Sequence, residues 1–399
     1  MSWDKVKLAD CCLSISDGDH QPPPKAVSGV PFVTIANINK SNQFDFSDTM
    51  FVPKDYYDRL DSKRKAQVGD ILYSVVGSFG IPVLIKEERP FVFQRHIAIL
   101  RPNERINSAF LYYTMLSRDF YAKADAAAIG AAQRTVSLTS LRGMEIELPP
   151  LKVQETIASK LSVYDNLIEN NQKQIKLLEE AARRLYKEWF VNFRFPGYED
   201  TPIVDGVPEG WEKAPIDSRI SLLSGYAFKS AQFDSSGEYK IVTIKNVKDG
   251  EFDGINTNRI VSIPGKMPKH CVLTDGDILL SLTGNVGRTC IVNGNNYLLN
   301  QRVAKLQSDI PAFTYCLFRS SDMFDAMNNL ANGTAQQNLS PIRTGKISIL
   351  FPADNLLEKF ERIVGSMISK MLSLIKQCDL LIQARDRLLP KLMSGEIEV

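Results

Sequence analysis

The side chains that could perform catalysis in this chain lack the spacing of a catalytic site. Thr344-Gly345-Lys346 resembles the end of a phosphate-binding loop, but Ile347 follows where that loop needs Ser or Thr, and the upstream glycine is absent. The histidines His20, His96 and His270 are far apart along the chain. A polar turn residue is the simplest interpretation of His20, which follows Gly-Asp. None of these positions predicts a nucleophile, a general base or a metal ligand.

A second group of residues resembles a nuclease site only weakly. Asp234 precedes Glu238-Tyr239-Lys240, which supplies a carboxylate and a lysine, but no Pro-Asp pair comes before it. The six cysteines include no Cys-x-x-Cys pair, and we interpret them as reduced thiols of a cytoplasmic protein. We therefore expect no catalytic residue, no metal site and no cofactor bound directly by this chain. Activity of the isolated chain would be needed to revive an enzymatic interpretation.

Side chains of the types that contact DNA are common, in contrast. Arg and Lys match guanine and Asn and Gln match adenine, whereas contacts to phosphate only position a protein. The net charge of +2 neither supports nor excludes DNA binding, because the positions of the charges decide it. The candidates for phosphate contacts are Lys25, Lys63, Arg64 and Lys65 in the first half of the chain and Lys229, Lys245 and Arg288 in the second. Simple exposure to solvent is the alternative for each.

The sequence contains an internal repeat whose offset falls from 209 to 203 residues along the chain. A period of this length indicates two duplicated domains and is too long for a solenoid. Four blocks carry the repeat: Val33–Ile38 with Val242–Val247, Gly69–Gly77 with Gly276–Gly284, Gln94-Arg95 with Gln301-Arg302, and Gly130-x-x-Gln133 with Gly333-x-x-Gln336.

The elements that position these residues are short strands and helices broken by Gly and Pro. Val68-Gly69-Asp70 predicts a turn that enters a buried strand at 71–76, and 109–128 is predicted to be helical. With 399 residues, 44% of them hydrophobic and 24% charged, we expect a soluble α+β protein. No apolar run is long enough to suggest a membrane span. We predict modules at 1–150 and 208–352.

A long helix is predicted after each module, at 151–194 and at 353–391, with a linker at 195–207 and a tail at 392–399. Apolar residues recur at alternating steps of four and three, which is a heptad seam. The first seam comprises Ile157, Leu161, Tyr164, Ile168, Ile175, Leu178, Ala182, Leu185 and Trp189, with Asn171 at the missing position. The second comprises Phe360, Val364, Met367, Met371, Leu374, Cys378, Leu381 and Leu388, interrupted by Arg385.

The two seams match nearly position for position at an offset of 203 residues. We therefore expect the helices to pack against each other as an antiparallel coiled coil in a pseudo-twofold arrangement. A buried Asn171 would fix the register of such a coil at a cost in stability. The alternative is a pair of ordinary amphipathic helices, each packed on its own module.

With these residues in view, the chain resembles the specificity subunit of type I restriction–modification systems. The run 183–193, Arg-Arg-Leu-Tyr-Lys-Glu-Trp-Phe-Val-Asn-Phe, is similar to the end of that family's central helix. The run 389–397, Leu-Pro-Lys-Leu-Met-Ser-Gly-Glu-Ile, and the repeated Gly-Asp-Ile-Leu blocks carry the rest of the resemblance.

The resemblance implies that the modules are target-recognition domains, each reading one half of a bipartite site in double-stranded DNA. It also implies that the helices set the spacing and dock two methyltransferase subunits, which bind S-adenosylmethionine and methylate adenine. A restriction–translocase subunit would complete the complex. In that family the specificity subunit is not catalytic. The competing hypothesis is a duplicated coiled-coil scaffold for protein interactions without DNA specificity.

The repeat sorts the remaining candidates, because the two halves of a target normally differ in sequence. Polar residues shared by both copies favour folding or phosphate contacts: Arg95 with Arg302, and Gln133 with Gln336. Residues that differ inside a matching frame favour base contacts: Ser78 against Asn285, and Arg134 against Gln337, with Asn338 beside it. A solvated turn is the alternative for each.

Overall fold

The computed structural model describes residues 3–20, 23–39, 41–131, 133–331 and 337–398. The chain divides into two units. The first unit comprises Met1–Asn170 and Cys378–Val399, and the second comprises Asn171–Gln377. Each unit therefore contains one module together with part of both long helices, so the division falls within the helices. It does not follow the predicted module boundaries.

The first unit is built on a four-stranded sheet in the order Cys12–Asp17, Ile97–Pro102, Ile71–Ser74, Pro82–Leu84. A three-stranded sheet has the order Met50–Val52, Val30–Val33, Val92–Phe93, and Asp4–Lys7 pairs antiparallel with Glu145–Leu148. The strand predicted to follow Gly69 is confirmed, and all four of its residues are buried. Gly69 permits the turn because its φ is +91°.

The second unit repeats this sheet with the order Ile220–Ser224, Val303–Ser308, Ile278–Ser281, Thr289–Ile291. Its other large sheet has the order Asn258–Ile260, Tyr239–Val242, Tyr297–Leu299, Val272–Leu273, and Glu212–Pro215 pairs with Ser348–Phe351. A short hairpin, Ile203–Val204 with Val207–Pro208, lies in the segment predicted to be a linker. The duplication seen in the sequence is therefore a duplication of fold.

The helices of the first unit's module are Lys54–Arg59, Ser108–Leu116, Arg118–Ala127 and Leu138–Gly143, and those of the second are Pro311–Phe318, Ser321–Ala331 and Pro341–Gly345. Short 3-10 helices lie at Leu8–Cys11, Ile35–Asn37, Ser62–Arg64, Tyr198–Asp200, Ile216–Ser218, Ser230–Gln232 and Lys269–Cys271. The helical prediction for 109–128 is confirmed except at Ser117, where the segment divides into two helices. Ser117 has an extended backbone and its hydroxyl accepts a hydrogen bond from the Phe120 N–H, which starts a new helix.

The central helix is Leu151–Tyr186, continued by a π-helix at Lys187–Val191, and the distal helix is Asp354–Met393. The central helix ends earlier than predicted because Phe193 adopts a φ of +56° and the Arg194 N–H bonds to the Glu188 carbonyl. The distal helix ends two residues after its predicted end, and Pro390 lies inside it. Its last turn buries Leu389 and Leu392, and this packing favours continuation of the helix.

The two long helices pack antiparallel within each unit. In the first unit, Asp165 contacts Arg385 and Ile168 contacts Cys378. Residues later in the central helix therefore contact residues earlier in the distal helix, which is the antiparallel arrangement. In the second unit, Tyr186 packs against Phe360 and Asn171 lies 3.5 Å from Gln377. Every predicted seam residue is buried or half-buried, Asn171 included. Arg385, which interrupts the seam in the sequence, is also buried.

Candidate nucleic-acid interface

Two loops meet at one end of the first unit's four-stranded sheet. The loop 75–80 follows the strand Ile71–Ser74, and the segment 133–135 returns beside it through a bridge between Val76 and Thr135. The Gly77 N–H donates to the Arg134 carbonyl, and the Val136 N–H donates to the Val75 carbonyl, both at 2.9 Å. Ser78, Gln133 and Arg134 are exposed on these paired loops. Three sequence-predicted candidates are therefore brought together.

The second unit forms the same paired loops at the same place. The loop 282–287 follows the strand Ile278–Ser281, and the Leu339 N–H donates to the Leu282 carbonyl at 2.7 Å. Asn285, Gln337 and Asn338 are exposed there. Gln336 lies outside the described residues. The Leu339–Leu282 bond is the equivalent of the Val136–Val75 bond in the first unit. The two loop frames therefore match, but the exposed side chains that they present differ.

Glycines and a serine shared by both copies build these frames. Gly77 and Gly80 have φ values of +69° and +96°, and their counterparts Gly284 and Gly287 have +73° and +81°. These conformations favour glycine. The Ser74 hydroxyl accepts a hydrogen bond from the Ile81 N–H at 2.9 Å, and the Ser281 hydroxyl accepts one from the Arg288 N–H at 3.0 Å. The shared residues therefore hold the backbone.

Arg134 is held in a defined position in the first unit. Its guanidinium forms an ion pair with Asp125 and lies 5.4 Å from the centre of the Phe79 ring. Phe79 in turn stacks on Tyr121 at 5.9 Å. Burial raises the pKa of the neighbouring Tyr73 well above its ordinary value, so this phenol stays neutral beneath the loop. Arg134 is exposed and fixed, which suits a group that contacts DNA.

The sequence match of Gln94-Arg95 with Gln301-Arg302 is wrong by one residue. The Arg95 N–H bonds to the Asp19 carbonyl, and it is the Gln301 N–H that bonds to the equivalent Tyr226 carbonyl. His96 therefore occupies the position of Arg302, and both of their carbonyls accept a bond from the start of a paired loop. The residue offset between the two copies of the repeat has already changed from 207 to 206 before these paired segments. Arg95 and Arg302 are both exposed, but they are not counterparts.

The remaining basic candidates have different surroundings. Arg64 lies 3.9 Å from the buried carboxylate of Asp19, and Lys65 donates to the Asp58 carbonyl at 2.9 Å. Asp19 also accepts the hydroxyl of Tyr56, and burial together with this bond raises the pKa of Tyr56 to about 12. Lys25, Lys63, Lys229 and Lys245 are exposed, and Arg288 is half-buried.

Sequence reasoning missed Asp19 and the exposed aromatic residues beside the loops. Asp19 organises Arg64 and Tyr56 from a distant part of the chain, and no spacing rule signals that. Tyr121 in the first unit and Phe324 in the second lie against Gly80 and Gly287, respectively. The repeat offset of 203 pairs these two aromatics, so this signal was present in the sequence.

Among the residues that the structure describes, no cluster of three or more His, Cys, Asp or Glu side chains could hold a metal ion. No helix in the described part of the chain is both long and apolar enough to cross a membrane.

Comparison with known proteins agrees with this geometry. Residues 2–180 and 208–363 match the family described as Type I restriction modification DNA specificity domain. The chain belongs to this family. The matched segments contain both sets of paired loops, and the chain is accordingly a DNA target-recognition subunit.

Individual relatives are similar over most of their length. The MjaIX specificity subunit of Methanocaldococcus jannaschii is 25% identical over 346 residues, which cover 83% of this chain and 78% of that protein. The HindI specificity subunit of Haemophilus influenzae is 21% identical over 99% of both chains. The S subunit of a type I restriction–modification system from M. genitalium has the same fold, with a TM-score of 0.57, 16% identity, and coverage of 98% of this chain and 96% of that one.

Proposed function

We propose that each unit reads one half of a bipartite target in double-stranded DNA through its paired loops. The observation that carries this proposal is the combination of identical frames with different side chains. Ser78, Arg134 and Thr135 in one unit stand where Asn285, Gln337 and Asn338 stand in the other. Base edges are read by side-chain donors and acceptors, so two such frames would read two different sequences.

The remaining cations would position the protein without selecting a sequence. Lys25, Lys63, Arg95, Lys229, Lys245 and Arg302 are exposed and suit contacts to phosphate. Arg64, Lys65 and Arg288 are partly covered and suit contacts that also hold loops. Gln133 has no described counterpart, since Gln336 lies outside the described residues. Such phosphate contacts make the affinity for DNA dependent on salt, because they release counterions from the DNA.

In this proposal the long helices set the spacing of the two half-sites, which for one face of the duplex is roughly 10 base pairs. The helical region docks two methyltransferase subunits, which bind S-adenosylmethionine and methylate adenine. Restriction–translocase subunits complete the complex in the cytoplasm. This chain itself contributes recognition and no catalytic residue. The match to the specificity-domain family supports these assignments.

The test is to purify the complex with its methyltransferase subunit, methylate a plasmid library, and map modified adenines by sequencing. The expected result is one motif with two short specified halves and a fixed unspecified spacer. Methylation without such a motif would contradict the proposal. DNA binding that is indifferent to both salt and sequence would favour the alternative, a duplicated coiled-coil scaffold.

A further inference from the structure

Arg134 is held by two acceptors that belong to one residue, Asp125. Its Nη1 donates to the Asp125 carboxylate and its Nη2 donates to the Asp125 main-chain carbonyl, both at 2.5 Å. Asp125 lies in the last turn of the helix Arg118–Ala127, and its carbonyl also accepts the Ala128 N–H at 3.3 Å. A carboxylate and the negative end of a helix therefore hold the guanidinium together.

These contacts leave part of the guanidinium open to solvent. A guanidinium has five N–H donors in one plane, and Asp125 accepts two of them. The centre of the Phe79 ring lies 5.4 Å from the guanidinium carbon, and Phe79 in turn stacks on Tyr121. Even so, 45% of the Arg134 side chain is exposed. The group is restrained on one side and can still offer paired donors on the other, which is what the O6 and N7 atoms of guanine accept.

The second copy of the repeat replaces this whole set of residues. At the repeat offset of 203, Gln337 stands in place of Arg134 and Asn328 in place of Asp125. At the offset of 207 that relates the two loops, a valine, Val286, stands in place of the aromatic ring. The cation, its carboxylate and the ring beside it therefore change together. Because Arg contacts guanine and Gln contacts adenine, this change matches a change of base.

Neither a purely structural role nor a phosphate contact explains this difference between the copies. The helix Ser321–Ala331, which corresponds to Arg118–Ala127, forms with amides in place of the ion pair, so the fold does not need the pair. Both half-sites have the same phosphates, and a phosphate contact gives no reason for the two copies to differ. Base recognition does give such a reason, because the two halves of a target differ in sequence.

We propose that Arg134 contacts a guanine in the half-site of the first module, and that Asp125 is the positioning residue that fixes the guanidinium for this contact. Phe79 restrains the guanidinium from a second direction. This inference rests on the proposed function and adds the base that is recognised and the residue that orients its contact. The corresponding position of the second unit, Gln337, suits adenine instead.

The test measures base preference in the complex purified with its methyltransferase subunit. The half-site of the first module is the half of the motif that changes when residues 1–150 are exchanged, and each of its base pairs is replaced in turn in competition binding assays. We expect the wild type to prefer a G·C pair at one position, and Arg134→Gln to reduce that preference roughly 5- to 150-fold, the discrimination of one bidentate contact. The preferences at all other positions should stay the same.

Two results for Arg134→Gln would overturn the proposal. One is an unchanged preference for guanine. The other is an equal loss of affinity for all sequences together with a weaker salt dependence, which would identify a phosphate contact. Arg118→Gln is the matched control, because Arg118 is an exposed arginine at the start of the helix that contains Asp125. It should leave the preference for guanine unchanged, and a loss as large as that of Arg134→Gln would also contradict the proposal.

Asp125→Asn tests the positioning residue, because it removes the charge that holds Arg134 and keeps the size of the side chain. We expect the preference for guanine to fall by about threefold or more, since a recognition group must be held close to its productive geometry. The ratio between base pairs is the quantity to measure, because removing a negative charge strengthens binding to any DNA. Asp119→Asn is the control on the same helix, where Asp119 pairs with Lys123 at 2.7 Å. Equal effects of the two variants would contradict the role of Asp125.

Two further measurements keep the possible failures apart. Circular dichroism and unfolding midpoints check that the variants fold, and if Arg134→Gln does not, Arg134→Lys keeps the charge without the planar fork. That variant should also lose preference for guanine, and an unchanged preference would count against the proposal. A wild-type half-site without any G·C pair would refute this inference and leave the proposed function standing. A wild-type complex without a fixed bipartite motif would refute the proposed function itself.

Discussion

At the scale of single residues, the most informative group is a buried ion pair that occurs in only one half of the repeat. Asp165 on the central helix pairs with Arg385 on the distal helix at 2.6 Å and accepts the Tyr113 hydroxyl at 2.7 Å. Burial opposes the charge of Arg385, but Asp165 and Asp386 outweigh that effect and raise its pKa. In the second unit, Ile368 occupies the position of Asp165, Ala182 that of Arg385 and Cys316 that of Tyr113. These three side chains are apolar or a thiol.

We predict that Asp165→Ala destabilises the protein by about 3–5 kcal/mol, because it leaves a buried arginine without its main partner. Tyr113→Phe should cost less, about 1.5–3 kcal/mol, the range for one hydrogen bond to a charged group. The triple variant Asp165→Ile, Arg385→Ala, Tyr113→Phe, which takes the second unit's residues at the ion pair and removes the unpaired hydroxyl, should recover most of the stability. Denaturant unfolding measures all three. A triple variant as unstable as Asp165→Ala would show that the ion pair does not account for the loss.

The second prediction concerns Glu361, whose pKa is raised from its ordinary value of 4.5 by burial, despite hydrogen bonds from the Phe313 and Ala312 N–H groups at 2.7 and 2.9 Å. The folded state holds a proton that the unfolded state has released, so stability falls as pH rises from 4.5 through the raised pKa. Glu361→Gln should remove this fall. Unfolding midpoints measured across pH, with Glu358→Gln as an exposed control, check it. Identical pH profiles for the wild type and Glu361→Gln would contradict the assignment.

At the scale of elements, the sequence predicted features that follow from a hydrophobic pattern over many residues. It did not predict features that depend on a single contact. The seam residues and the buried strand at Ile71–Ser74 follow from hydrophobic periodicity, which tertiary packing reinforces. The break at Ser117 depends on one capping hydroxyl, and the early end of the central helix depends on the positive φ of Phe193. The register error at Arg95 arose because a one-residue change in offset is invisible without the hydrogen bonds.

The paired loops give a prediction at this scale. An alanine at Gly80 would bring its Cβ within 2.5 Å of the Tyr121 ring, at a φ of +96°. At Gly276 the φ is +88° but nothing lies within 4 Å. Gly80→Ala and Gly276→Ala both pay the conformational strain, and Gly80→Ala should lose about 1–3 kcal/mol more through overpacking. Thermal unfolding compares them. Equal midpoints would show that Tyr121 moves aside freely.

At the scale of the whole molecule, the sequence predicted the duplication, the fold class and the family, because these depend on many residues at once. For the residues that contact bases, the sequence indicated only which loops contain them. Which side chain reaches a base depends on loop geometry, and Arg134 illustrates this: its place is set by Asp125 and Phe79, which no sequence rule connects to it.

The central claim is that the two modules read DNA independently on one helical frame. The most direct measurement replaces residues 1–150 by the module of another family member, retains Tyr113 for its contact with Asp165, and maps the methylated motif by sequencing. We predict that one half of the motif changes, while the other half and the spacer length remain those of the parent. A change in both halves, or an unchanged motif, would contradict the claim.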